Sequence, residues 1–61
     1  MRDRAQIRSE RLEYEADVEY EVWRWGGNPD QVDRDRVDDR FYDGWPTDSV
    51  ARDELRRQEK P

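Results

Sequence analysis

The chain contains no cysteine and no histidine. It therefore forms no disulfide, and it lacks the residues that most often bind structural zinc or activate a catalytic serine. Ser49 stands beside Asp48 but has no histidine to complete a catalytic triad. The aspartates of residues 33–39 do not match a calcium-binding loop, because Val37 and Asp38 occupy the positions of a ligand and a glycine. We expect no catalytic residues, no cofactor and no metal site, and we predict that the protein is not an enzyme.

Long apolar runs are also absent. Charged residues make up 48% of the 61 residues, hydrophobic residues make up 31%, and the mean hydropathy is −1.62. Because residues 1–10 hold no apolar run, we expect no signal peptide, no transmembrane helix and a cytoplasmic location. A chain this short builds a core worth only about 3–5 kcal/mol. We predict one small domain over residues 1–61, whose thin core gains stability from a second copy or from another protein.

The net charge of −5 is concentrated in one segment. Residues 12–22 contain acidic side chains and no basic one, whereas residues 1–11 are rich in arginine. The five carboxylates of the acidic segment are Glu13, Glu15, Asp17, Glu19 and Glu21. Such an imbalance attracts basic protein surfaces and repels nucleic acid.

The acidic segment alternates strictly between apolar and acidic side chains, which is typical of a half-buried strand. Two features favour a helix instead. Apolar residues beyond the segment continue at a helical spacing, as Ala16 and Trp23 do, and Gly26-Gly27 then follows as a helix stop. On a helix, the apolar residues form two stripes on nearly opposite sides. One stripe holds Ala5, Leu12, Ala16, Tyr20 and Trp23, and the other holds Ile7, Tyr14, Val18, Val22 and Trp25.

We therefore predict an all-α fold, a small three-helix domain with a long N-terminal helix and two shorter helices. The predicted helices cover residues 3–25, 29–43 and 48–58, followed by a frayed tail at 59–61. Asn28 and Thr47 are suited to cap the second and third helices, and Gly44 is suited to end the second. The alternative is an α+β fold in which residues 12–25 form a strand.

A helix with two apolar faces needs two partners, of which the rest of the chain is one. Our leading hypothesis is a non-enzymatic, acidic protein–protein interaction module, an inhibitor that imitates nucleic acid. It would occupy the basic nucleic-acid-binding surface of a protein, such as a nucleic-acid-processing complex. Small viral inhibitors of restriction or CRISPR machinery act in this way, and the likeness is one of charge and size only. The predicted partner-binding residues are Glu13, Glu15, Asp17, Glu19, Glu21, Trp23, Trp25 and Tyr14.

Two other functions are compatible with the sequence. In the first, the protein is a structural or assembly protein that forms a homo-oligomer through its first helix. Its acidic residues would then pair with the N-terminal arginines of another copy, which are Arg2, Arg4, Arg8 and Arg11. In the second, it is a small regulatory DNA-binding domain. The isoelectric point of about 4.6 and the acidic residues of the third helix disfavour direct binding to nucleic acid.

Overall fold

A computed structural model describes residues 3–59, which form three α-helices and one short 3₁₀ helix. Helix α1 spans Arg4–Arg24, the 3₁₀ helix spans Pro29–Gln31, α2 spans Arg34–Asp43 and α3 spans Thr47–Glu59. No strand occurs within residues 3–59. The prediction of an all-α domain with a long first helix is confirmed, and the alternative of a strand at residues 12–25 is wrong.

Helix α1 begins and ends where the sequence provides capping groups. Asp3 caps its first turn, and its carboxylate accepts a hydrogen bond of 2.8 Å from the backbone amide of Gln6. At the other end, Gly26 has a φ of +90°, and the amide of Gly27 donates to the carbonyl of Val22 at 2.8 Å. Only glycine adopts this backbone conformation without strain, so the helix stops here.

The predicted helix over residues 29–43 is divided into two. Asn28 starts the 3₁₀ helix by accepting a hydrogen bond from the amide of Asp30 at 3.0 Å. Val32 is then extended, and the carboxylate of Asp33 accepts hydrogen bonds from amides in the first turn of α2. A short acidic side chain that caps the next helix competes with continuation of the previous one, which explains the break.

The link between α2 and α3 is a tight turn. Gly44 ends α2 with a φ of +81°, and the amide of Trp45 donates to the carbonyl of Arg40 at 3.0 Å. The guanidinium of Arg40 lies 4.3 Å from the centre of the Trp45 ring. Helix α3 begins at Thr47, which was predicted as its cap, and it includes Glu59, which was predicted as frayed. Residues 60 and 61 of the predicted tail lie outside the described residues.

The core lies along one face of α1. Its buried apolar residues are Val18 and Val22 of α1, Val37 of α2, and Val50 and Ala51 of α3. Tyr14, Val32 and Leu55 pack around this cluster. Three helices therefore meet on a centre built almost entirely of valine.

One carboxylate is buried beside this core. Glu54 of α3 is 1% exposed, and its Oε2 accepts hydrogen bonds from Arg57 at 2.6 and 3.0 Å. The Nε atom of Arg36 in α2 lies 3.8 Å from the other carboxylate oxygen. Arg57 also donates to the carbonyl of Gln31 in the 3₁₀ helix at 2.9 Å. Glu54 is thus the centre of a polar network that joins α2, α3 and the 3₁₀ helix.

A glycine allows the C-terminal end of α1 to approach α3. A Cβ atom on Gly27 would lie 2.5 Å from Cδ2 of Leu55 and 2.8 Å from Cγ1 of Val22. Next to it, the backbone of Asn28 forms two hydrogen bonds with the side chain of Gln58, at 2.8 and 2.9 Å. The close approach therefore fixes the end of α1 against α3.

Candidate interaction surface

Helices α2 and α3 cover Tyr14, Val18 and Val22 of one predicted stripe of α1. They leave Trp25 at the end of that stripe, and the whole of the other stripe, exposed. We call the open one the apolar stripe, and it consists of Ala5, Leu12, Ala16, Tyr20 and Trp23, all exposed. Leu12 is 56% exposed, Tyr20 is 57% exposed and Trp23 is 63% exposed. The rings of Tyr20 and Trp23 lie 6.0 Å apart, centre to centre. Soluble monomers rarely expose an apolar surface of this kind, and where one occurs it usually marks an interaction site.

A line of carboxylates runs beside the apolar stripe. We call it the acidic row, and it consists of Glu13, Asp17 and Glu21, spaced so that each step rises about 6 Å along the helix. Glu13 and Asp17 are exposed, whereas Glu21 is partly buried and accepts a hydrogen bond of 3.2 Å from the indole of Trp25. Trp25 is 68% exposed. The acidic row therefore ends at an exposed aromatic ring that is held by its last carboxylate.

The other two predicted carboxylates of α1 face α2 instead. Glu19 forms an ion pair with Arg34 at 3.4 Å. Burial raises the pKa of Glu15, and the nearby carboxylate of Asp38 raises it further. These two residues lie on the opposite edge of the apolar stripe from the acidic row, within reach of the rest of the chain.

The raised pKa of Glu15 predicts that Glu15→Gln stabilises the fold near neutral pH. Burial and the charge of Asp38 disfavour the ionised form of Glu15 in the folded chain, which lowers the free energy of unfolding. This loss of stability is complete above the pKa of Glu15 in the folded chain, and it disappears as the pH falls through that pKa to below the value in the unfolded chain. We expect a gain of about a few tenths of a kcal/mol at about pH 7 and none at about pH 3, because the group is only partly buried. Thermal unfolding followed by circular dichroism tests this, and an equal gain at both pH values would contradict it.

The predicted aromatic anchors are divided between the surface and the core. The hydroxyl of Tyr14 donates to the carbonyl of Trp45 at 2.6 Å, and its ring meets Phe41 edge-on at 5.3 Å. Burial raises the pKa of Tyr14. Tyr14 thus faces the core, whereas Trp23 lies in the apolar stripe and Trp25 lies at the end of the acidic row.

The structure also exposes residues that we did not predict as partner-binding. Leu12 and Tyr20 are each more than half exposed and lie in the apolar stripe with Trp23. The sequence analysis places both residues in the same stripe as Trp23. The sequence did not indicate which of the two faces α2 and α3 would cover.

The first turns of α1 form a basic groove. It is lined by Arg4, Ile7, Arg8, Arg11 and Tyr42. A hydrogen bond with Tyr42 raises the pKa of Arg11, and the charge of Asp38 acts in the same direction. Arg2, which we predicted to share this basic patch, lies outside the described residues. Helix α1 is therefore basic in its first half and acidic in its second.

Comparisons of the chain with protein-family models, with curated proteins and with solved structures give no match. Within residues 3–59, no group of three or more acidic side chains is placed to hold a metal ion. Across the same residues, every helix is too short or too polar to cross a membrane. The function is therefore inferred from the surface of α1.

Proposed function

We propose that the protein is a non-enzymatic interaction module that binds a basic protein surface through the acidic row and Trp25. In the leading form of this proposal, it is an inhibitor that occupies a surface on which its partner binds nucleic acid. The single observation that supports the proposal most is the acidic row itself, three carboxylates on one open edge of α1.

The acidic row has no basic partner among the described residues. Among residues 3–59, no arginine forms an ion pair with Glu13, Asp17 or Glu21, although arginines elsewhere pair with Glu19, Asp53 and Glu54. Like charges four residues apart cost an isolated helix about 0.2–0.5 kcal/mol per pair. The arrangement does not favour the stability of α1, which supports a role in binding.

The row also has a form that suits a surface built for phosphates. Glu13 and Glu21 are separated by about 12 Å along the helix axis, with Asp17 between them. Arginines and lysines that donate hydrogen bonds to successive phosphates donate charge-assisted hydrogen bonds of the same kind to carboxylates. Trp25 adds an exposed ring, which binds arginine by cation–π contact or fills an apolar recess.

Charge reversal of the acidic row tests the proposal. The variant Glu13→Lys, Asp17→Lys, Glu21→Lys changes the net charge from −5 to +1, since each substitution adds two charges. We expect immobilised wild-type protein to retain a nucleic-acid-binding protein from a lysate of its host, and the variant to retain at least about tenfold less. Wild-type protein should then displace duplex DNA from the purified partner, measured by fluorescence anisotropy, and the displacement should weaken as salt rises.

A matched variant separates the row from the net charge. Asp39→Lys, Asp43→Lys, Glu59→Lys changes the net charge by the same amount, at exposed positions outside α1. This control should retain the partner and displace DNA as the wild type does. If it loses both activities, or if the row-reversed variant keeps them, the acidic row is not the binding surface.

A specific observation favours a second function, that of an assembly protein. The apolar stripe is open over the length of α1 and lies beside the acidic row without including it. Its aromatic and aliphatic side chains suit a stable contact with another helix more than a contact with a charged surface.

A further inference from the structure

We infer that two copies of this chain form an antiparallel dimer through the apolar stripe of α1. Positions along this face repeat at the alternating four- and three-residue spacing of a two-helix seam, through Ala5, Ser9, Leu12, Ala16, Glu19 and Trp23. All of them except Glu19, which is partly buried beside Arg34, are exposed, and α2 and α3 pack on the opposite side of α1. A second α1 helix therefore has access to the whole seam.

The sizes of the stripe residues complement one another in an antiparallel pair. When two α1 helices cross at residue 14, Leu12 of one copy lies opposite Ala16 of the other, and Trp23 lies opposite Ala5. Each large side chain then meets a small one, which is the interdigitation that close packing requires. A parallel pair sets Trp23 against Trp23 and Ala16 against Ala16, which leaves space between the small residues.

The charges at one edge of the seam are also complementary. Arg8 of one copy comes within about one residue of the level of Glu19 of the other copy, on the same edge of the seam. Glu19 is partly exposed beside Arg34, so one carboxylate can serve both guanidinium groups. The basic first half of each α1 thus lies along the acidic second half of its neighbour.

The opposite edge brings the two acidic rows together. Glu13 and Asp17 of both copies lie on this edge, where their repulsion opposes pairing and is screened by salt. The apolar stripe and the Arg8 edge outweigh this repulsion at moderate ionic strength. The dimer therefore doubles the acidic surface on which the proposed function rests. The pairing of the two copies uses other residues than the acidic row and needs no other protein.

Two tryptophans on the same helix provide a matched test. Sedimentation of the purified protein should show a dimer in the micromolar range, and Trp23→Ala should raise the dissociation constant at least about 30-fold. Trp25→Ala, which removes an equally exposed ring outside the stripe, should leave it unchanged within about twofold. A monomeric wild type, or an equal loss in both variants, overturns the proposal.

A charge exchange tests the register without removing an apolar side chain. Arg8→Glu and Glu19→Arg should each weaken the dimer about fivefold or more, and the double variant should recover most of the loss. Recovery distinguishes weakened pairing from unfolding, because a misfolded single variant is not repaired by a second charge change. A double variant weaker than either single variant overturns the antiparallel register.

The orientation is tested separately by a single introduced cysteine, since the chain has none of its own. In the antiparallel dimer, the two positions of Ser9→Cys are about 15 Å apart along the axis, so oxidation should leave the chains unlinked. Rapid disulfide formation within the dimer would show a parallel pair. Reversal of the acidic row should abolish partner binding without removing an apolar residue of the seam, so failure of the proposed function is distinct from failure of the dimer.

Discussion

Replacing Glu54 with alanine is expected to lower the free energy of unfolding by about 2–4 kcal/mol, most of the stability of a domain this small. The substitution removes a carboxylate that is 1% exposed and accepts two hydrogen bonds from Arg57. It also leaves a cavity beside Val50 and Ala51, which have little freedom to collapse into it. Urea unfolding followed by far-ultraviolet circular dichroism measures the loss, at a fixed protein concentration because dimerisation adds to apparent stability.

Glu54→Leu is the matched control for this prediction. Leucine fills about the same volume, and Arg57 is 41% exposed, so its guanidinium can turn to water. Replacing a buried ion pair by a packed apolar side chain is close to neutral in other proteins, and we expect a change of less than about 1 kcal/mol. If both variants lose the same stability, the ion pair matters more than the filled volume, and the cavity argument is wrong.

Gly27→Ala is expected to destabilise the fold by about 1–3 kcal/mol. The added methyl group would lie 2.5 Å from Leu55 and 2.8 Å from Val22, closer than van der Waals contact allows. Val22 is fully buried and cannot move, so the end of α1 must shift away from α3. That shift would also break the paired hydrogen bonds between Asn28 and Gln58.

A double-mutant cycle with Leu55→Ala identifies the source of the cost. Shortening Leu55 removes the nearer of the two clashes, so Gly27→Ala should cost less in that background. We expect a favourable coupling of about 1 kcal/mol from urea unfolding of the four proteins. Additive effects would show that the clash with Leu55 is relieved by rotation of its side chain alone.

The fold followed from local signals that the sequence carries plainly. Asp3, Gly26 and Gly44 are capping and terminating residues with known preferences, and they set the limits of α1 and α2. The break at Asp33 was not predicted, because the sequence was read as one continuous helix over residues 29–43. Helix α2 restarts where Arg34 and Arg36 form ion pairs with other helices, and these contacts are not indicated by any local pattern in the sequence.

The candidate surface was predictable only in part. Helical periodicity placed the two apolar stripes and the carboxylates between them. It did not reveal that α2 would lie against Glu15 and Glu19 and leave Glu13 and Asp17 open, because that depends on the direction of the turn after Gly27. The burial of Glu54 was not predictable either, since acidic side chains in a polar helix are nearly always exposed.

The position of the aromatic rings has an optical consequence. Trp23 is 63% exposed, Trp25 is 68% exposed and Trp45 is 38% exposed, so all of the indole emission comes from the surface. At concentrations where the chain is a monomer, denaturant should therefore shift the fluorescence spectrum little while the helical signal is lost. A blue shift should instead report that a ring has been covered, Trp23 by a second copy of α1 and Trp25 by a bound protein. Because the core consists of valines and the indole rings lie outside it, tryptophan fluorescence should report on binding to another molecule rather than on folding of the chain.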